Sequence, residues 1–254
     1  MTSGSTSNDD VWLVVPVYNE GQVIRDVVSA AAKTFPNIVC VDDGSRDNSA
    51  EEILAAAAAT RSVQAGHDHA GARPGPGIRL VRHPVNLGQG AAIQTGVEYA
   101  RAQPGARYFV TFDADGQHRV EDVAAMIARL RSEPIDIVVG TRFAEGRSES
   151  VPALRRIALR TIVFLSPRTR RLGLTDAHNG LRAFNRTVAD QLDLLMNGMS
   201  HASEFVALID HHGWRVAEQP VTILYTDYSR AKGQSLINGV NIVADGLLHS
   251  RMRK

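Results

Sequence analysis

Two carboxylates one residue apart, Asp113 and Asp115, end a short apolar stretch and could hold a metal ion. The stretch Phe109 to His118 reads FVTFDADGQH, so the pair lies where a buried strand would end. Burying two carboxylates is costly unless positive charge lies beside them. Hard oxygen ligands suit Mg2+ or Mn2+, and such ions commonly carry a substrate's phosphates. The alternative is that these acids cap the helix that follows, because Asp is a favoured cap residue.

The composition limits the classes of protein that could use such a site. The chain has 254 residues, with 28 Lys and Arg against 27 Asp and Glu. This length suits one large α/β domain or two small ones. The near-neutral charge argues against a dedicated nucleic-acid binder, so we expect no nucleic-acid partner. The single cysteine, Cys40, lies in the apolar run IVCV, which predicts a core position, excludes a disulfide framework and fits a reducing cytosol.

Three stretches bear on localisation. Residues 1–10 are small and polar, lack the apolar core of a signal peptide and are predicted to be a disordered tail. No apolar run is long enough to span a bilayer. Residues 152–171 mix arginines with apolar residues and could lie on an anionic membrane surface, although a helix packed on the sheet has the same pattern. We therefore expect a cytoplasmic protein, with peripheral contact at the cytoplasmic membrane face left open.

The elements that must position the acids alternate along the chain. Val11 to Val17 is a continuous apolar run, typical of a strand that is buried on both faces. Further strands are predicted at 37–41, 78–82, 108–112 and 135–139, with helices at 23–33, 50–59, 91–101 and 120–131. This alternation predicts an α/β fold, a Rossmann-like and mostly parallel sheet flanked by helices.

The pattern changes after Phe143. Strands are predicted at 214–218 and 221–224, and helices at about 186–195, 202–212 and 236–248. These short elements predict a small C-terminal strand–helix extension of the same domain.

Four loops should lie at the carboxyl ends of the predicted strands: YNEGQ, DDGSRD, NLGQG and DADGQH. Ligands of open parallel sheets bind at that edge. Three loops carry acids, namely Glu20, Asp42, Asp43, Asp47, Asp113 and Asp115. The fourth carries glycines, which let a backbone approach a ligand, but it matches neither the dinucleotide fingerprint nor the phosphate-binding loop. A turn and a helix cap explain Asp47 and Ser49, but not two adjacent acids ending an apolar strand.

Taken in order and spacing, PVYNE, VDDGS, NLGQGAA, DADGQH and GTRF resemble the inverting glycosyltransferases of family 2, which have the GT-A fold. DAHNGLRAF and YSRAKGQS further resemble the polyprenyl- or dolichyl-phosphate mannose or glucose synthase branch. The motifs run from Pro16 to about Ser235. The resemblance implies one GT-A domain over residues 11–254, with a nucleotide-binding half at 11–118 and an acceptor-binding half at 119–254.

The resemblance also implies a role for each motif residue. The nucleotide sugar would be bound by Pro16, Tyr18, Glu20, Asp42, Asp43, Ser45, Asn86, Gly88, Gly90, Asp113 and Ala114. A divalent cation, Mg2+ or Mn2+, would be held on the diphosphate by Asp113, Asp115 and Gln117. Phosphates of donor or acceptor would meet Arg142, Arg182, Arg230 and Lys232. If the reaction uses a general base, Asp176 and His178 are the candidates, and Glu204 is another carboxylate to consider.

The implied reaction is the transfer of a hexose, with inversion, from a nucleoside diphosphate sugar. A polyprenyl phosphate acceptor is already ionised, whereas a sugar or other hydroxyl acceptor would need a general base. Two alternatives are a non-catalytic nucleotide-sugar binding module and a sugar nucleotidyltransferase. The intact DADGQH motif counts against the module. The second class should carry Lys or Arg directly after the first strand, where this chain has none before Arg25.

Overall fold

The computed structural model describes residues 7–64, 77–142, 167–176, 179–196, 198 and 200–224. Within these residues, seven strands join one sheet and there are seven helices. The strands are β1 (Val11–Val17), β2 (Asn37–Asp42), β3 (Gly77–Arg82), β4 (Tyr108–Thr111), β5 (Ile137–Thr141), β6 (Arg182–Asn185) and β7 (Val216–Pro220). The helices are α1 (Ile24–Ala32), α2 (Ser49–Gln64), α3 (Gln89–Arg101), α4 (Val120–Ser132), α5 (Pro167–Arg171), α6 (Arg186–Gln191) and α7 (His201–His212).

The strand order is β3-β2-β1-β4-β6-β5-β7. The first four strands along the chain are parallel neighbours, as their apolar runs predict. Every residue of β2 is buried, and so is nearly all of β1, because helices cover both faces of this part of the sheet. The predicted mostly parallel α/β sheet is confirmed.

Two apolar cores lie on the two faces of the sheet. α1, α2 and α4 pack on one face, and α3, α6 and α7 pack on the other. β1 contributes to both cores, because Leu13 joins the first and Val14 the second. α3 approaches so closely that a Cβ on Gly96 would lie 2.4 Å from Val14 Cγ1. Cys40 is buried in the first core as predicted, and burial raises the pKa of its thiol.

β6 is a strand that the sequence prediction missed. It runs antiparallel between β4 and β5, and its Ala183 lies opposite Val110 on one side and Val138 on the other. Four residues are too few for an alternating pattern to become visible, and Arg182 at the start is charged. β6 therefore separates two strands that are consecutive parallel elements in the sequence.

Two other C-terminal predictions were wrong in part. The helix predicted over 186–195 ends at Gln191. Residues 221–224 were predicted to form a strand, but they leave the sheet after Pro220, which has no N–H to continue a ladder. Leu224 N–H instead donates to Gln117 O at 2.9 Å, which carries this segment toward the site edge of the sheet.

The disordered tail predicted over residues 1–10 extends too far, because its last residues contact the domain. Asn8 Nδ2 donates to Thr34 O at 3.0 Å, and Asp10 O accepts the N–H groups of Arg107 and Tyr108. These residues therefore belong to the folded domain. Residues 1–6, the amphipathic stretch 152–166, the helix at 236–248 and three site residues, His178, Arg230 and Lys232, lie outside the described residues. The division into two binding halves stays a prediction.

Candidate active site

A cleft of about 580 Å³ opens at the carboxyl ends of β1, β2 and β3. This edge is where a parallel sheet binds ligands. The cleft is lined by Tyr18, Gly44, Ser45, Arg46, Arg82, His83, Pro84, Val85 and Asn86. Three of the predicted nucleotide-binding residues, Tyr18, Ser45 and Asn86, are in this lining, whereas Pro16 lies inside β1 opposite Val41.

The loop after β1 is bonded to the loop after β2. Four hydrogen bonds join them: Asn19 N–H to Ser45 Oγ (2.9 Å), Glu20 N–H to Ser49 Oγ (2.9 Å), Gly21 N–H to Asp47 Oδ2 (2.9 Å) and Arg46 N–H to Asn19 Oδ1 (2.8 Å). Asp47 also accepts the Ser49 N–H at 3.0 Å, so the expected helix cap serves as a link between loops as well. Burial would raise the pKa of Asp47, but the hydrogen bonds from Ser49 and Gly21 lower it overall.

Asp42 is fully buried beside the cleft. Its Oδ1 accepts the Ser45 N–H at 3.0 Å, and its Oδ2 accepts from Arg82 Nε at 3.2 Å. Both partners line the cleft. Asp42 therefore orients two groups that line the cleft.

Asp43 is also buried, but its partners belong to the loop after β3. Its Oδ1 accepts from His83 Nδ1 and from Leu87 N–H, each at 2.8 Å, and its Oδ2 accepts from Gly88 N–H at 2.7 Å. Three internal donors thus use its oxygens. Asp43 holds the wall of the cleft, and its contact with a base or ribose stays a prediction.

The first acid of the DADGQH motif, Asp113, is held between two side chains. Gln89 Nε2 donates to its Oδ1 at 3.1 Å, and His118 Nε2 lies 2.9 Å from its Oδ2. Gly180 backs the same oxygen so closely that a Cβ there would lie 2.3 Å from it. The Asp113 side chain keeps 28% of its surface exposed, so it still faces the site.

Charges around Asp113 keep its carboxylate ionised. Burial raises the pKa of Asp113, but the hydrogen bond and positive charge of His118, with the charges of His201 and Arg182, lower it overall.

Asp115 has the opposite electrostatic surroundings. Burial and the negative charges of Asp113 and Glu20 raise its pKa to about 6, against smaller opposing effects of the Gln117 N–H and His118. Gln117 N–H donates to Asp115 Oδ1 at 3.0 Å. Glu20 and Asp115, from the first and fourth loops, therefore face one shared region. Ala114, between the two acids, is buried.

Arg142 and Asp176 form a pair at the end of β5. Arg142 Nε and Nη2 donate to the two oxygens of Asp176 at 2.6 and 2.7 Å, and the Arg142 N–H donates at 3.0 Å. Asp176 is 1% exposed. Its own N–H donates to Glu218 Oε1 at 3.1 Å, which ties the pair to β7. The geometry favours a positioning role for Asp176, because its oxygens already bind a guanidinium.

Arg182 lies inside the protein, although it was predicted to meet a phosphate. It is 1% exposed, and its guanidinium carbon is 4.7 Å from the centre of the Phe205 ring. Burial lowers the pKa of Arg182 to about 10, against the attraction of Asp113 and Asp176. The charge of the buried Arg182 thus acts on Asp113 and Asp176 from the protein interior.

The carboxylate of Glu204 is occupied by hydrogen bonds from the backbone. Its carboxylate accepts the N–H of Leu195 at 3.1 Å and that of Met196 at 2.8 Å. This segment packs against the start of α3, because a Cβ on Gly90 would lie 2.0 Å from Met196 O. Gly90 therefore allows a close approach of backbone, and Glu204 shapes that contact.

Five residues that the structure brings to the site acids were given no role from the sequence: His83, Gln89, His118, Gly180 and His201. Gln89, His118 and Gly180 belong to the motifs quoted above, which marked their positions but not their roles. His201 lies on α7, more than 80 positions after Asp113, and nothing in its local sequence marks it.

The family model described as Glycosyl transferase family 2 matches residues 12–193, which include all four loops and both acids of the DADGQH motif. The chain belongs to glycosyl transferase family 2. Its identity as a glycosyltransferase, expected from the motifs, is confirmed.

Three relatives of this family 2 chain each align over at least 76% of its length. It is 30% identical to an uncharacterized protein of Methanocaldococcus jannaschii over 241 residues, 93% of this chain and 90% of that protein. It is 29% identical to the UDP-N-acetylglucosamine–dolichyl-phosphate N-acetylglucosaminyltransferase of Methanococcus voltae, over 91% of this chain and 92% of that one. It is 28% identical to a dodecaprenyl-phosphate galacturonate synthase of Rhizobium johnstonii, over 76% of this chain and 53% of that one.

The fold is similar to that of solved glycosyltransferases. The glucosyl-3-phosphoglycerate synthase of Mycobacterium tuberculosis, in complex with Mn2+ and UDP-glucose, superposes with a TM-score of 0.66 at 17% identity. The similarity covers 95% of this chain and 78% of that one. The expected GT-A fold is confirmed. Among the residues described here, no helix is long and apolar enough to cross a membrane.

Proposed function

We propose that this glycosyltransferase moves a hexose, with inversion, from a nucleoside diphosphate sugar to a polyprenyl phosphate, with a divalent cation at the diphosphate. One observation carries the proposal: Asp113 and Asp115 follow β4 at the sheet edge that also opens the cleft, and Asp115 lies close enough to Asp113 and Glu20 for their charges to raise its pKa. Relatives whose names state dolichyl-phosphate or dodecaprenyl-phosphate acceptors support the choice of acceptor.

Asp115 fits the proposed cation. Burial raises its pKa, the charges of Asp113 and Glu20 raise it further, and a divalent ion beside it would lower it again. Within the described ranges, no group of three or more His, Cys, Asp or Glu side chains is arranged to hold a metal by itself. Asp113, Asp115 and Gln117 stay the residues predicted to hold the ion, and oxygens of the donor diphosphate would complete its ligands. When bound, such an ion neutralises the charge that develops on the leaving diphosphate.

The chain's own residues would orient the donor. Asp42 holds Arg82 and the Ser45 loop at the cleft, where they would meet the nucleotide. Asp113 is ionised and fixed by Gln89 and His118, so it can accept hydrogen bonds from donor hydroxyls in one orientation.

A lipid-phosphate acceptor agrees with how the predicted bases are used. Asp176 binds Arg142 through both oxygens, and Glu204 binds two backbone N–H groups. Neither is arranged as a proton acceptor, and an ionised phosphate needs none. His178 stays the predicted base for a hydroxyl acceptor, and Arg230 and Lys232 stay predicted to bind phosphate.

The test is a transfer assay with the full chain. UDP-glucose, UDP-N-acetylglucosamine and GDP-mannose are each supplied with Mn2+ and either a polyprenyl phosphate or an alkyl glycoside. We expect a glycosylated lipid phosphate with one donor, its loss on addition of EDTA and its recovery with excess Mn2+. Transfer only to the alkyl glycoside would identify the hydroxyl-acceptor alternative. Nucleotide binding without any transfer would indicate a binding module.

We also propose that residues 152–171 contact the membrane that carries the lipid acceptor. Four arginines of this stretch, Arg155, Arg156, Arg168 and Arg170, would face anionic headgroups. Their replacement by Gln should reduce cosedimentation with phosphatidylglycerol vesicles. Unchanged cosedimentation would instead indicate a helix packed on the protein.

A further inference from the structure

We propose that His83 is a positioning residue for the nucleotide: by bridging Asp43 and Thr95 it fixes the cleft wall, residues 84–88, and thereby sets the affinity for a nucleoside diphosphate. The inference rests on the proposed function only for the kind of ligand that the cleft takes. His83 acts through this wall and not on the reacting atoms.

The His83 ring is buried between two elements. Its side chain is 9% exposed, with Nδ1 2.8 Å from Asp43 Oδ1 and Nε2 3.0 Å from Thr95 Oγ1. An ionised carboxylate can only accept, so Nδ1 is the donor in the bond to Asp43, and Nε2 shares a hydrogen bond with the Thr95 hydroxyl. His83 therefore connects the end of β2 to the middle of α3 beneath the loop.

Asp43 also binds the backbone of the cleft wall. It accepts the N–H groups of Leu87 and Gly88 in addition to the His83 bond. Without the His83 donor, Oδ1 of this buried carboxylate would keep only the Leu87 N–H, and the bond that fixes its orientation from the side of α3 would be lost. His83 thus stabilises the same carboxylate orientation that holds the C-terminal end of the wall.

The wall has little apolar packing of its own. Val85 is 58% exposed and Leu87 is 42% exposed, so neither side chain is buried in a core. The loop is therefore held mainly by polar contacts, and its shape should depend on each of them.

Gly44 supports the other end of the wall. It has a φ of +71°, and a Cβ there would lie 2.6 Å from Val85 C and 2.7 Å from Asn86 N. Residues 84–88 are therefore fixed between the Gly44 turn and the Asp43–His83–Thr95 bridge. Displacing the wall at either end should have the same effect on the ligand.

Three substitutions separate the two bonds of His83. H83N keeps an amide donor near the Nδ1 position and loses the contact with Thr95. H83Q places its amide near the Nε2 position and loses the bond to Asp43. T95V removes the hydroxyl alone. The control H211Q changes an exposed histidine at the end of α7.

The readouts are the Kd for UDP and for GDP with Mn2+ by calorimetry, the donor KM and kcat, and the hydrogen-exchange protection of the Leu87 and Gly88 amides. We expect H83Q to raise Kd and KM roughly tenfold, because a hydrogen bond to a charged group is lost. H83N and T95V should raise both about threefold, and kcat should stay within about twofold. The exchange rates of the Leu87 and Gly88 amides should increase from T95V to H83N and be highest in H83Q.

A second pair of variants tests the wall without touching His83. Gly44→Ala should raise Kd like H83Q. Its matched control is Gly105→Ala, which has a φ of +81° and no atom within 4 Å of the added Cβ. Both variants carry the same backbone strain, so only Gly44→Ala should weaken nucleotide binding.

The outcomes that overturn the proposal are distinct. Wild-type protection of Leu87 and Gly88 in H83Q, or a lowered melting temperature with unchanged Kd, would show a merely structural histidine. A fall in kcat with unchanged KM would place His83 in the chemistry. A wild-type chain that binds neither UDP nor GDP with Mn2+ would overturn both this inference and the proposed function, whereas normal transfer with unaffected H83Q would overturn this inference alone.

Discussion

The two halves of the sheet use charged groups differently. On the side of β1 to β4, carboxylates mostly accept backbone N–H groups from neighbouring loops, as the buried Asp43 and the exposed Asp47 do. On the side of β5 to β7, carboxylates bind arginines in pairs, as Asp176 and Asp136 do with Arg142 and Arg215. The first arrangement shapes an open cleft, whereas the second joins β5, β7 and the segment before β6. We therefore expect substitutions to change ligand affinity on one side and stability on the other.

The largest effect should come from Asp115, at the border between the halves. Asp115→Asn should lower kcat/KM by roughly a thousandfold, because the cation on the diphosphate would lose a carboxylate ligand. The melting temperature should stay equal or rise, since one of three mutually repelling acids is neutralised. The assay is transfer with saturating Mn2+, beside Asp190→Asn, which changes an exposed acid paired with Arg186. Equal turnover in both variants would refute the metal role.

The next largest effect is expected for the pair of Arg142 and Asp176, and it should appear as a change in folding stability. Arg142→Met leaves Asp176 buried without its guanidinium and should lower the free energy of unfolding by about 3 kcal/mol. The double variant with Asp176→Leu should recover much of that loss, because no buried charge remains. Urea unfolding measures both. If nucleotide affinity falls while stability is unchanged, the contrast between the halves is wrong here.

Gly180→Ala tests a contact between the halves. The added Cβ would lie 2.3 Å from Asp113 Oδ2, so the carboxylate must leave the position in which it contacts His118 and Gln89. We expect a fall in kcat/KM of about 10- to 100-fold, since a small misplacement at the reacting centre is sufficient. Gly198→Ala, where no atom lies within 4 Å of the new Cβ, is the control and should keep its activity.

The smallest effect should be the pH dependence of Asp136. The hydrogen bond from Arg215 lowers its pKa to about 2, against burial. Its pairing therefore stabilises the fold above the unfolded pKa of about 3.9 and is lost as pH falls toward 2. Arg215 is 61% exposed, so solvent screening reduces the contribution to about 1 kcal/mol. Urea unfolding of wild type and Asp136→Asn should differ by that amount at pH 7 and converge near pH 2.

Much of the first half could be predicted because its signals are local. A continuous apolar run such as Val11–Val17 marks a strand buried on both faces, and the loop motifs follow directly after such runs. The second half was harder. β6 is too short to show a period, and its place between β4 and β5 depends on long-range pairing that no neighbouring residues encode.

The sequence by itself determined the family, the parallel core and the acids that end its strands, because apolar periodicity and motif order are written along one stretch of chain. Only the tertiary structure decided how each acid is used. Asp42 orients Arg82 at the cleft while Asp43 holds the cleft wall, and the pKa of Asp113 is lowered while that of Asp115 is raised. Those differences arise from partners far away in sequence, such as His83, Gly180 and Arg182. Burial and neighbouring charge, which set the state of a carboxylate, exist only once the chain has folded.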